Sequence, residues 1–141
     1  MIFKRGDSWA YRPLILDGKT SHFRPFEFIC RCGVCSDQKL DVELIKKLDI
    51  LREKIKKPIN ISSGYRCPRH NENVFGKNNS AHLQGWAADI ISKGVNGVTL
   101  YHAAKDIFEC IGVGKDFIHV DIRKGHRLWF YDNLSEKDLI I

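Results

Sequence analysis

No apolar run in the chain approaches the ~20 residues needed to cross a bilayer, so a membrane-spanning helix is excluded. Proline is scarce, at four, and no segment is repeated or biased toward one residue type, which excludes fibrous and low-complexity architectures. The opening Met1-Ile-Phe-Lys-Arg-Gly-Asp lacks the apolar middle of a signal peptide, so the expectation is synthesis in the cytoplasm without visible export. Cysteine is odd in number, at five, so at least one thiol stays unpaired and a full disulfide framework is not expected. What remains is an ordinary globular composition, 141 residues with 43% hydrophobic and 28% charged. That is enough chain for a single domain around one core, read as an irregular N-terminal wrap over 1–25 and a core over 26–131.

Charge narrows the partners little. Twenty-three Lys and Arg against seventeen Asp and Glu leave +6, with a pI near 9.1, a balance that favours anionic partners. The lysines 46, 47, 54, 56 and 57 nevertheless alternate with Glu43, Asp49 and Glu53, and no aromatics recur among them as a base-stacking platform needs. They read as a solvated helix face, and nucleic acid is not an expected partner. Cys30, Cys32 and Cys35 are clustered, with Cys67 far along the chain. Four such thiolates can make a structural zinc site, but the Cys-x-Cys step is tight and nothing in the sequence ties Cys67 to the others. The plainer reading is free thiols, or one bridge outside the cell, with Cys110 as a core residue in a helical pattern.

Periodicity lays out the elements. From Asp37 to Lys57, Leu44, Leu48, Leu51 and Ile55 recur at helical steps before Pro58. Ile59 to Ser62 reads as a short strand, and Pro68 suits the first turn of a short helix ending before Gly76. Trp86 to Ile91 reads as a buried strand. Val98 to Ile111 returns to helical spacing with Gly112 as its stop. Phe117 to Arg123 and Arg127 to Tyr131 read as a hairpin, whose first strand puts Ile118, Val120 and Ile122 on one face and Phe117, His119, Asp121 and Arg123 on the other. The fold class is α+β, a small antiparallel sheet packed against helices.

One residue breaks the pattern. Asp89 sits within Ala-Ala-Asp-Ile-Ile, where an unpartnered carboxylate costs several kcal/mol, so it needs a counter-ion or a metal. His82 lies seven residues earlier in the loop entering that strand, and His119 lies on the polar face of a later one. A catalytic zinc takes three such ligands and an open fourth position. Taken singly, His82 reads as a loop histidine and His119 as a hydrogen-bonded structural one.

Ser80-Ala-His82-Leu-Gln-Gly85-Trp-Ala87-Ala-Asp89 resembles the S-x-H-x-x-G-x-A-x-D signature of the zinc D-Ala-D-Ala carboxypeptidase superfamily, which includes bacterial cell-wall peptidases, phage endolysins and, by fold, the hedgehog signalling domain. Upstream, Ser63-Gly-Tyr-Arg66-Cys-Pro-Arg-His70-Asn71 is similar to the segment that precedes the metal motif in that family. Downstream, Phe117-Ile-His119-Val-Asp121-Ile-Arg123 is similar to its closing strand. The resemblance implies that His82, Asp89 and His119 bind Zn²⁺, that Arg66 clamps a substrate carboxylate, and that Ser80 lines the site or orders its loop. It also implies a hedgehog/D,D-peptidase-like fold, a peptidoglycan stem peptide as partner, a monomer, and action at the bacterial cell wall, as a carboxypeptidase or a phage-type lysin. A zinc-containing binding module without turnover is the alternative.

The family's better-known members carry a glutamate three residues, or a histidine two residues, before the last histidine ligand. Asp116 and Phe117 stand there in this chain. Asp121, on the strand face of His119 about 7 Å along the chain, is the favoured general base. Asp116 is the substitute, and orienting a ligand imidazole is the other role open to Asp121. Gly85 and Ala87 are expected to be small because backbone and metal approach there. Trp86 and Trp129 are expected to pack in the core, with walling of the substrate groove as the alternative, and His70 and His126 to border the cleft with no assigned role.

Overall fold

Local sequence signals set the first helix. In the computed structural model, which describes residues 1–140, helix α1 spans Val42–Ile55. The Asp41 carboxylate caps it by accepting from the Glu43 backbone N–H at 2.9 Å. Glu43 in the first turn and Arg52 and Lys54 in the last complement the helix dipole. Leu44, Leu48 and Leu51 of the expected apolar stripe are fully buried and Ile55 partly so, and Ile45 joins them in the core. The start differs from the expected Asp37, because Asp37–Lys39 forms strand β4, antiparallel to β1 (Ile2–Lys4) with Phe3 opposite Gln38. No apolar residue before Leu44 continues the helical stripe except Leu40, and Asp41 takes the capping position.

The N-terminal wrap contributes to the core. Between β1 and β4 the chain makes 3₁₀ turns at Ser8–Tyr11 and Pro25–Phe28, and a small hairpin of β2 (Ile15–Leu16) and β3 (Lys19–Thr20). Phe3, Ala10, Phe23 and Phe28 are buried with the α1 leucines, so this segment closes one side of the core. Full burial of each phenylalanine is worth ~1.5–3 kcal/mol, although no periodic pattern announces it.

The main sheet has five strands in the order β5-β6-β8-β7-β9: β5 Asn60–Ser63, β6 Ala87–Ile91, β7 Cys110–Val113, β8 Ile118–Asp121 and β9 Arg127–Phe130. Two expectations are corrected here. Helix α3 spans only Gly97–Ala104, and Cys110, Ile111 and Gly112 belong to a strand. Gly112 is not a helix stop: an added Cβ would lie 2.5 Å from the Trp129 indole nitrogen, so glycine makes room for that ring. The β8–β9 hairpin does not form, because β7 lies between them, antiparallel to β8 and parallel to β9. All four residues of β7 are buried, as suits a central strand, and a β8–β9 hairpin would leave its backbone groups unpaired. The sheet is therefore mixed.

Alternation sorts the sheet's faces. Ala88, Ile90, Ile111, Val113, Ile118 and Val120 pack in the core with Leu44, Leu48 and, from α3, Leu100 and Ala104. The intervening residues form a row across the strands in register, Ser63 opposite Asp89, Asp89 opposite His119, His119 opposite Gly112, and Gly112 opposite Trp129. The short helix α2, Pro68–Asn73, opens on Pro68 as expected.

Candidate metal centre and substrate cleft

The register brings the Asp89 carboxylate against the His119 ring, with Oδ1 3.0 Å from Nδ1. His82 arrives from a 3₁₀ turn, Ala81–Gln84, whose first residue is preceded by Ser80; the Ser80 hydroxyl accepts from the His82 N–H at 3.2 Å. Gly85 ends the turn with φ +73°, and an added Cβ would lie 2.3 Å from the Lys39 carbonyl oxygen. Its small size thus reflects close packing on β4, a correction to the expectation that the metal demands it. The turn sets His82 Nε2 3.2 Å from the same Asp89 Oδ1.

Hydrogen bonds on the far sides of the rings fix both tautomers. His82 Nδ1 lies 2.7 Å from the Gly64 carbonyl, which only accepts, so Nδ1 carries the hydrogen and the Nε2 lone pair faces Asp89. His119 Nε2 lies 2.7 Å from Asp121 Oδ2, so its hydrogen points there and Nδ1 is the nitrogen whose lone pair is available to a metal beside Asp89. Burial opposes ionisation of Asp121, but bonds from His119 and Arg123 prevail and hold its pKa down to about 2. Asp89 is likewise held well below the usual carboxylate range, its burial outweighed by His119 and His82. Burial pushes the His119 pKa down, but its bonds to Asp121 and Asp89 raise it overall in the metal-free protein.

The two ring nitrogens and the carboxylate oxygen therefore converge on one point, where a bound cation would take the place of the hydrogens that otherwise join rings to carboxylate. Tetrahedral ligands about 2.0 Å from a zinc are about 3.3 Å apart, close to the 3.0 and 3.2 Å found here. His82, Asp89 and His119 thus fit a divalent metal, each imidazole backed by an acceptor as metal-bound histidines are.

The cluster opens into a cavity of about 420 Å³, a size suited to a small ligand. Arg66, Lys77, Arg123 and Arg127 line it with Ser80, and Phe75, Phe117, Trp129 and Tyr131 supply its apolar walls. Among the described residues Asp89 is its only acidic lining residue. Arg66 lies 3.4 Å through Nη2 from Asp89 Oδ2, and contacts Ser63 and Asn71 as well. Trp129 stands beside His119, ring centroids 4.9 Å apart, so it walls the cleft instead of filling the core. Its indole N–H donates to the Tyr131 hydroxyl at 2.8 Å. Trp86 is 37% exposed, which also departs from core packing.

Asp121 and Asp116 are placed otherwise than a base needs. Asp121 is fully buried, with one oxygen on His119 and both engaged by the Arg123 guanidinium at 3.0 Å; it does not line the cavity. Asp116 is exposed in the turn before β8 and does not line it either. His70 and His126 are absent from the lining; His126 pairs with Glu109 at 3.2 Å on the surface. The sequence left unassigned Tyr131, Lys77 and Arg127, which gather here through the 74–80 loop and the β9 end; only the fold unites them. Cys30, Cys32, Cys35 and Cys67 carry free thiols, as expected, but Cys67 joins the other three in one cluster, which nothing in the sequence foretold; Cys110 is also free and buried, in β7.

The fold is α+β, and its His–Asp–His group in a basic cleft is suited to holding a metal ion. The family model described as Peptidase M15 matches residues 21–121, more than two thirds of the chain, and the chain belongs to this family. The family is part of the zinc D-Ala-D-Ala carboxypeptidase superfamily, whose peptidases are zinc-dependent. A search of curated proteins finds no match. Among the described residues no helix is long and apolar enough to cross a membrane.

Proposed function

We propose that the chain is a zinc metallopeptidase of the hedgehog/D,D-peptidase arrangement that hydrolyses peptide bonds in the stem peptides of bacterial peptidoglycan, as a carboxypeptidase or an endolysin-type endopeptidase at the cell wall. The observation that carries the reading is the meeting of His82, Asp89 and His119 at the floor of a cleft with four cationic side chains in its lining.

His82 through Nε2, His119 through Nδ1 and Asp89 through Oδ1 would hold the metal. When bound, zinc supplies Lewis acidity that polarises a peptide carbonyl and acidifies water. Arg66 pairs with the second oxygen of Asp89 and offers its planar fork to a substrate carboxylate. Lys77, Arg123 and Arg127 add the positive field that draws an anionic peptide inward. Tyr131, whose oxygen already accepts from Trp129, keeps its own hydrogen to donate to substrate. Asp121 acts as a positioning residue: it holds the His119 Nε2 hydrogen, and thereby the ring, in the ligand orientation.

A second reading, a zinc-retaining module that binds wall peptide without cutting it, is favoured by the lack, among the described residues, of any acidic lining residue besides Asp89. Incubating the zinc-loaded protein with purified peptidoglycan and analysing the soluble fraction by mass spectrometry separates the two. Cleaved stem peptides support the peptidase; retention on the wall without new amino groups supports the module.

A further inference from the structure

We propose that Cys30, Cys32, Cys35 and Cys67 bind a second, structural Zn²⁺, which staples the loop between the Pro25–Phe28 turn and β4 to the segment that carries Arg66. Each cysteine offers one sulfur, and the four lie within 4.8 Å of one another. Cys30 and Cys67 sulfurs are 3.8 Å apart, and Cys67 and Cys32 are 4.0 Å apart. Ligands at ~2.3 Å around a tetrahedral zinc lie about 3.8 Å apart, whereas a disulfide needs ~2.05 Å. The spacing is therefore that of ligands around an ion. Four soft thiolates in a closed set suit zinc rather than magnesium or calcium, and leave no open position for a substrate.

The surroundings are built for sulfur carrying negative charge. The Cys32 sulfur accepts from the Val34 and Cys35 backbone N–H groups at 3.4 and 3.3 Å. Cys67 accepts from the His70 N–H and Cys30 from the Cys67 N–H, both at 3.4 Å. Cys35 accepts from the Gln38 amide at 3.3 Å and from the Arg5 guanidinium at 3.7 Å. Every sulfur thus has at least one N–H donor, the support that metal-bound thiolates receive and that weakly accepting neutral thiols do not require. Gln38 is a fully buried polar side chain whose bonds all serve this loop; its carbonyl accepts from the Cys30 N–H at 2.7 Å and its amide also donates to the Cys35 carbonyl at 3.0 Å. Burying an amide there makes sense when it organises a ligand loop.

The position links the cluster to the cleft without being part of it. Cys30 follows the 3₁₀ turn that ends at Phe28, and the Phe28 carbonyl accepts from the Tyr65 N–H at 2.8 Å. Cys67 follows Arg66, whose backbone N–H donates to the His82 carbonyl at 3.0 Å. An ion between these two strips would clamp the path from that loop to Arg66 and His82.

The test is metal content and spectroscopy on the full chain. Elemental analysis is expected to give two zinc ions per chain, with one retained in His119→Ala and one in the double variant Cys32→Ser, Cys35→Ser. Replacing zinc with Co²⁺ should give strong sulfur-to-cobalt absorption in the near ultraviolet, kept in His119→Ala and lost in the cysteine variant. If the cysteine variant does not fold, the wild type and His119→Ala still decide the matter. A single zinc that disappears in His119→Ala, cobalt loading without thiolate absorption, or iron in place of zinc at these sulfurs would overturn the proposal. The proposal is independent of turnover: an inactive protein holding two zinc ions would sink the peptidase and leave the thiolate site standing.

Discussion

Asp89 and His119 stand directly opposite each other on neighbouring antiparallel strands, their Oδ1 and Nδ1 atoms 3.0 Å apart. Side chains alternate along a strand, so a slip of one residue in β6 or β8 would turn one of them into the core. The strand pairing and the metal centre are specified by the same contacts.

Removing a ligand should therefore remove the cleft metal while sparing the fold. His119→Ala is expected to lose one of the zinc equivalents seen by elemental analysis. Its melting temperature should no longer rise with the zinc that fills the cleft, a rise worth ~2.7 kcal/mol at a hundredfold excess over Kd. An unchanged metal content in this variant would exclude His119 as a ligand.

Asp121→Asn separates a positioning role from a catalytic one. The variant should bind cleft zinc ~10–100-fold more weakly, read by competition with a chromophoric chelator, because the bond that orients His119 is weakened. Full metal affinity with turnover abolished would instead return Asp121 to the role of base.

Arg66→Lys should raise KM for peptides with a free C-terminal carboxylate by ~10-fold or more, and leave C-terminally amidated peptides less affected, because lysine loses the bidentate fork. Comparing the two substrates in steady-state kinetics gives the answer. Equal effects on both would place Arg66 in the service of Asp89 alone.

Phe23→Ala tests whether the first 25 residues belong to the core. Phe23 is buried against Phe28, ring centroids 6.0 Å apart, so truncation should cost ~3–5 kcal/mol in urea unfolding. A loss below about 1 kcal/mol would make the wrap a loose appendage.

How much of this was legible in the sequence follows the range of the interactions. The α1 stripe, the Pro68 helix start and the anomalous Asp89 are local signals, and each led to the right element. The alternation around His119 correctly put Asp121 on the same strand face, but which of them reaches the cleft depends on Arg123 and on burial behind the ring. The parallel partnership of β7 with β9 was not legible, because Cys110–Val113 extends an apolar helical spacing and only distant pairing shows it to be a strand. The approach of Cys67 to a loop more than thirty residues earlier had no local signal either. The resemblance to the D-Ala-D-Ala carboxypeptidases pointed to His82, Asp89 and His119, which the fold does bring together, and it did not supply a general base.

Gly85 leans on the Lys39 carbonyl, and its own carbonyl accepts from the Asp41 N–H at 2.9 Å. The turn that presents His82 is thus moulded directly onto the chain leaving β4. Any attempt to transplant the candidate metal-binding motif onto another scaffold, or to trim the leading strand from this one, must carry both surfaces together, for the histidine takes its aim from a backbone more than forty positions upstream.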